Sequence, residues 1–105
     1  MSDELEYHAL HIAVETEDEA RAILAELAAD PSRFGAIAKA RSKDPRSAAL
    51  GGDLGWGYED DYAEAFAEAL VKLRPGQLSD IVASQYGFHV IKLANTRPAR
   101  PRDED

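Results

Sequence analysis

Leu10, Ile12 and Val14 take every second position in residues 7–14, YHALHIAV, with Ala9, His11 and Ala13 between them. This two-residue period predicts a strand. The period then changes. Ala20, Ile23, Leu24, Leu27 and Ala28 recur at helical spacing, which predicts a helix over residues 17–29. Thr16 and Glu19 form its capping box, and Asp30-Pro31 stops it. Phe34, Ile37 and Ala38 give a second, shorter stripe over residues 32–41, with Pro31 suited to its first turn and Gly35 weakening it. Residues 42–50, SKDPRSAAL, carry no period and read as a loop with room for one helical turn.

Residues 51–57, GGDLGWG, hold four glycines in seven positions. A short strand is expected over 54–58. Asp61 and Glu64 make a second candidate capping box, ahead of a helix over 62–73 with Tyr62, Phe66, Ala69, Leu70 and Leu73 on one face. Arg74-Pro75-Gly76-Gln77 is a turn by composition. Residues 81–83 and 88–95 are strand candidates joined by a turn at Gln85-Tyr86-Gly87, which makes that pair antiparallel. The order of strand, helices, strand, helix and strand pair indicates an α+β domain with helices packed on a small sheet.

Composition narrows the classes of function. The 105 residues suit one domain, and there is no cysteine, which excludes disulfides, thiolate catalysis and cysteine-ligated metal. With 20 acidic and 12 basic residues, the net charge is −8, a poor match for nucleic acid or an anionic membrane. No apolar run approaches the roughly 18 residues of a spanning helix. The start, MSDELEYH, is polar and unlike a secretory signal. The expected compartment is therefore the cytoplasm, or the periplasm if a targeting segment has been removed.

The glycine stretch is not a nucleotide fingerprint, because it lacks G-x-G-x-x-G spacing and a phosphate-binding lysine. His8, His11 and His89 are too few and too badly spaced for a sequence-evident zinc site. No nucleophile elbow is present. A lone histidine in an apolar strand is more often a hydrogen-bonded core residue than a catalyst, and Asp44 before Pro45 is ordinary turn chemistry.

The order of the segments changes that balance. ALHIAV, FGAIAKARSKDP, GGDLGWG, AFAEALVKLRPGQLSDIV and SQYGFHVIKL resemble, in sequence and spacing, the parvulin family of peptidyl-prolyl cis-trans isomerases. The resemblance runs from Tyr7 to Asn95. It implies a four-stranded antiparallel sheet surrounded by about four helices, forming a domain over 7–96 with a short flank at 1–6 and a flexible charged tail at 97–105. It also implies that His11 and His89 sit side by side beneath the active site, with Asp44 and Ser84 beside them. The proline pocket maps onto Leu54, Tyr62 and Phe66, with Tyr86 and Phe88 nearby. No cofactor and no metal are implied. The expected partners are proline-containing peptides or unfolded polypeptides, met by a monomer.

Three positions depart from the family pattern. Tyr62 stands where methionine or leucine is common, Gly57 where phenylalanine is common, and Glu64 where proline is common. These changes keep a second expectation open, that of a non-catalytic, chaperone-like polypeptide-binding module of the same fold. The acidic run Glu15–Glu19 lies where phosphate-directed parvulins are basic, so no phosphopeptide preference is expected.

Overall fold

The computed structural model describes residues 4–99. Strand β1 (Leu5–Val14) leads into helix α1 (Glu17–Ala29). A 3-10 turn at Pro31–Arg33 enters α2 (Phe34–Arg41), and the four-residue α3 (Pro45–Ala48) follows. After β2 (Asp53–Tyr58) come a 3-10 turn at Glu59–Asp61, helix α4 (Glu64–Val71), β3 (Val82–Ser84) and β4 (Gly87–Pro98). The sheet order is β2-β1-β4-β3, and every pairing is antiparallel. The expected sheet and its four helices are therefore present.

Both faces of the two central strands are covered, so alternation along β1 and β4 feeds two cores. On one face Ile12, Val14 and Val90 pack with Ile23 and Leu27 of α1 and Phe34 and Ile37 of α2. On the other, Tyr7, Ala9, Ile91 and Leu93 pack with Phe66 and Leu70 of α4. The capping box of α1 forms as expected. Thr16 Oγ1 accepts from the Glu19 amide at 3.1 Å, and Glu19 Oε1 accepts from the Thr16 amide at 3.2 Å. Among the described residues, no helix is long and apolar enough to cross a membrane.

Three local expectations change. Helix α4 begins at Glu64 behind an Ala63 that makes no side-chain cap. Asp61 is used elsewhere, its Oδ2 accepting from the Tyr58 amide at 2.8 Å and closing the 3-10 turn. Tyr62 consequently lies in the strap before the helix. Strand β3 is displaced by one residue, to 82–84. Strands β1 and β4 also run further than expected, pairing Leu5 with Pro98 and Glu6 with Arg97. The charges explain that extension. Arg97 Nε donates to Glu6 Oε1 at 2.6 Å, and its guanidinium lies 4.1 Å from the centre of the Trp56 ring. A residue read as charged tail thus has both an ionic and an aromatic partner inside the sheet. The remaining tail positions, 100–105, lie outside the described residues.

Candidate active site

Register brings the two histidines together. His11 faces Ile91, and Ala13 faces His89, so the imidazoles are diagonal neighbours on one sheet face. Their Nδ1 atoms are 3.2 Å apart and the rings stack with centroids 5.3 Å apart. Both residues are buried.

Asp44 reaches this pair because the loop before α3 is pinned along the end of β1. The Lys43 amide donates to the Ala13 carbonyl at 2.7 Å, and the Ala13 amide donates to Ser42 Oγ at 3.0 Å. Asp44 occupies the N-cap position of α3 without a side-chain capping hydrogen bond, and its carboxylate reaches His11. His11 Nε2 lies 2.9 Å from Asp44 Oδ2. On the far side, β3 delivers Ser84, whose Oγ is 2.7 Å from His89 Nε2 and accepts from the Tyr86 amide at 3.1 Å. His11, Asp44, Ser84 and His89, separated by up to 78 positions in sequence, form one hydrogen-bond chain.

Sequence reasoning missed a fifth member, Ser47. Its buried hydroxyl donates to Asp44 Oδ2 at 2.7 Å. The available signal was its spacing, a hydroxyl three residues after an aspartate that opens a proline-initiated turn. That Ser47 contact is the main reason the Asp44 carboxyl titrates below its ordinary range. Burial opposes the shift, and the His11 contact adds to it.

The ionised Asp44 accepts only, so His11 must carry hydrogen on Nε2. With a neutral His11, its Nδ1 is bare and accepts from His89 Nδ1–H. His89 Nε2 is then bare in turn and accepts from Ser84 O–H. Burial is the first cause that pushes His89 down to about 4, followed by the neighbouring His11, with Asp44 acting in the opposite sense. His89 is therefore uncharged at neutral pH.

Gly52 explains part of the glycine stretch. Its φ is +93°, and an added Cβ would come 2.7 Å from the His11 carbonyl oxygen. The Gly52 carbonyl in turn accepts from the His11 amide at 2.9 Å. Glycine lets the loop lie directly against the strand at the catalytic candidate. Asp53 holds the next turn, its Oδ1 accepting from the Gly55 amide at 2.7 Å and lying 2.8 Å from His8 Nε2. His8 is thereby engaged apart from the His11–His89 pair.

Above the pair lies an open cavity of about 370 Å³, lined by His11, Leu54, Tyr62, Phe66 and Tyr86 among others. Phe66 sets its edge against both imidazoles, with centroids at 5.6 and 5.7 Å. Tyr62 stacks on Phe66 at 5.1 Å and 15°. Burial first, and Asp61 second, hold the Tyr62 phenol above its ordinary pKa. Tyr86 is exposed at the rim. Of the expected pocket residues, Phe88 does not join the group. One residue from His89, it points the other way and packs against the α1–α2 core. Among the described residues, no group of three or more histidine, aspartate or glutamate side chains is arranged to hold a metal ion.

Comparison with known proteins places the chain in a family. The profile of the rotamase family, the PPIC-type PPIase domain, matches residues 10–95. A probable parvulin-type peptidyl-prolyl cis-trans isomerase of Bordetella bronchiseptica is 48% identical over 95 residues, which is 90% of this chain and 37% of the relative. The chaperone SurA of Escherichia coli O157:H7 is 44% identical over 101 residues, covering 88% of this chain and 24% of SurA. The crystal structure of the peptidylprolyl isomerase PrsA from Bacillus anthracis superposes with a TM-score of 0.88 at 38% identity, over 95% of this chain and 46% of that one. The chain thus spans less than half the length of each of these proteins.

Proposed function

The chain belongs to the parvulin family of PPIC-type peptidyl-prolyl cis-trans isomerases, and from that premise we propose that it catalyses cis-trans exchange of X–Pro bonds in polypeptides, assisting their folding, without a cofactor. The observation that supports this reading best is the placement of Phe66. It is an apolar cavity wall that touches both members of a hydrogen-bonded histidine pair.

The reaction makes this arrangement sufficient. Amide resonance sets a rotation barrier of about 18–20 kcal/mol. At the twisted transition state that resonance is lost, so the carbonyl is less polar than in either planar isomer. A mostly apolar cavity from which the bound proline displaces water favours the twisted form over the planar one. Leu54, Tyr62 and Phe66 grip the proline ring and exclude water, and Tyr86 closes the rim. His89, kept neutral by burial, adds no cation that would stabilise the polar planar amide. Asp44, His11, His89 and Ser84 fix one another's orientation through the chain. They act on the shape and polarity of the floor, with no proton transferred to substrate.

The test is exchange spectroscopy by NMR on short X–Pro peptides, varying the residue before proline. Catalysed exchange that disappears in Phe66→Ala supports the isomerase. Shifts on binding without faster exchange support the second reading, a polypeptide-binding module, which the similarity to the chaperone SurA favours. A peptide carrying phosphoserine before proline should bind no better than its plain counterpart. Glu17, Asp18 and Glu19 open α1, and Glu15 engages Lys43 at 2.8 Å, so carboxylates dominate this corner and repel a phosphate.

A further inference from the structure

Tyr62 and Gly57 are packed as one object. A Cβ added at Gly57 would stand 2.6 Å from Tyr62 Oη and 3.2 Å from its Cζ. The backbone at Gly57 is not left-handed, so conformational freedom does not call for glycine there, and space does. The far end of the tyrosine occupies the volume in which a side chain at 57 would begin. The tyrosine cannot easily retreat, because its ring lies flat on Phe66 at 5.1 Å. Asp61, beside it, is tied to the Tyr58 amide at 2.8 Å. Both Gly57 and Tyr62 line the cavity above the histidine pair.

We propose that Gly57 is the socket for the Tyr62 hydroxyl, and that this interlocked pair is the gauge that sets which ring size the cavity accepts after the X–N bond. This rests on the isomerase reading of the same cavity. Tyr62 supplies the wall that a side chain at 57 would otherwise give. Because its ring is clamped between the Gly57 backbone and the Phe66 face, the wall is fixed. A fixed apolar wall discriminates a single added methylene by about 10- to 200-fold. The favoured substrate is therefore the five-membered proline ring, and its six-membered homologue, pipecolate, is rejected. The departure of both positions from the common family residues then reads as one compensated exchange.

The experiment is a double-mutant cycle on the whole chain, with Gly57→Ala, Tyr62→Leu and the pair combined. NMR exchange rates and peptide affinities are measured on matched X–Pro and X–pipecolate peptides. Gly57→Ala alone should lower kcat/KM for the proline peptide by about fivefold or more, since residues in direct contact couple. Made in the chain that already carries Tyr62→Leu, the same change should have less than about a twofold effect. Tyr62→Leu should lower the proline-to-pipecolate preference by about tenfold. That ratio cancels any loss of folded protein, so a purely structural role for Tyr62 would leave it unmoved. Additive effects, or an unchanged ratio in Tyr62→Leu, overturn the proposal. If the wild-type chain binds the peptides without accelerating exchange, the isomerase reading fails by itself. The cycle is then scored in affinity, where additivity still overturns the interlock and coupling still supports it.

Discussion

On one face of the sheet, Ile12, Val14 and Val90 meet Ile23, Leu27, Phe34 and Ile37. On the other face of the same two strands, His11 and His89 stand beside Ala9, Ile91 and Phe66. The strands are shared, so strand propensity cannot account for the difference. The covering layer can. The first face is closed by a capped thirteen-residue helix and an eight-residue helix. The second has one eight-residue helix with no side-chain cap, preceded by a strap in which Tyr62 lies flat on Phe66. The short helix covers the histidines through Phe66 and leaves an open cavity beside them. Their polar atoms are satisfied by one another, by Asp44 and by Ser84. Among the described residues, no buried side-chain nitrogen or oxygen lacks a partner. The comparison shows how one pair of strands supports a dry core and a polar site together, provided each buried polar group on the open face has a partner.

The largest effects should separate the faces. Ile23→Ala removes a fully buried side chain from the closed face and should cost about 2–5 kcal/mol of stability. It should leave exchange catalysis per folded molecule unchanged. Phe66→Ala removes a similarly buried ring and should cost about 3–5 kcal/mol. It should also lower kcat/KM by about a hundredfold, because the wall that positions the proline is gone. Chemical denaturation and NMR exchange on the two variants check this. Equal loss of catalysis per folded molecule in both would mean that the faces are not functionally distinct.

Acid should act on the open face next. The pKa of His89 is lowered from 6.5 to about 4, so the unfolded chain binds more protons between those values. Stability contributed by the neutral buried ring is present above pH 6.5 and is lost as pH falls toward 4. The full shift corresponds to about 3 kcal/mol. Asp44 is also depressed, from 3.8, so its contribution disappears lower, as pH falls through its folded value. Denaturation midpoints measured from pH 7 to pH 4 should fall in the wild type and flatten in His89→Leu. A slope that persists in His89→Leu would assign the acid sensitivity to other groups.

The fold was legible because its elements follow from local patterns. The alternation in β1, the capping box at Thr16 and the turn at Pro75-Gly76 each fix backbone geometry from adjacent residues. The His11–Asp44–His89–Ser84 grouping was legible only through resemblance, since contacts across up to 78 positions leave no trace in periodicity. What escaped reading was chemistry decided by tertiary competition. Asp61 had the spacing of a helix cap but bonds the Tyr58 amide. The resemblance sets Phe88 near the pocket with Tyr86, though alternation turns it from His89 to the α1–α2 core. Ser47 lies unmarked within the 42–50 loop stretch, yet it donates to Asp44 at 2.7 Å. Ser47→Ala should therefore cost about 1–2 kcal/mol at neutral pH. It should also raise the pKa of Asp44, moving the acid unfolding limb to higher pH. A limb that stays in place would show that contacts other than Ser47 hold that carboxylate ionised.

The smallest effect tests the closed face at its edge. Thr16→Ala removes an acceptor for the Glu19 amide and dissolves the capping box that starts α1. Such caps are worth about 1 kcal/mol, a modest fraction of a small domain's stability. The loss should show in the denaturation midpoint and leave exchange rates alone, because α1 meets the sheet through Ile23 and Leu27 and not through the histidine face. Thr16 is nevertheless only two residues from Val14, where β1 ends, and β1 also carries His11. If the variant slowed catalysis while remaining folded, strain at the end of β1 would have to reach His11 along the strand. The two faces would then be coupled through their shared backbone even though their side chains pack apart.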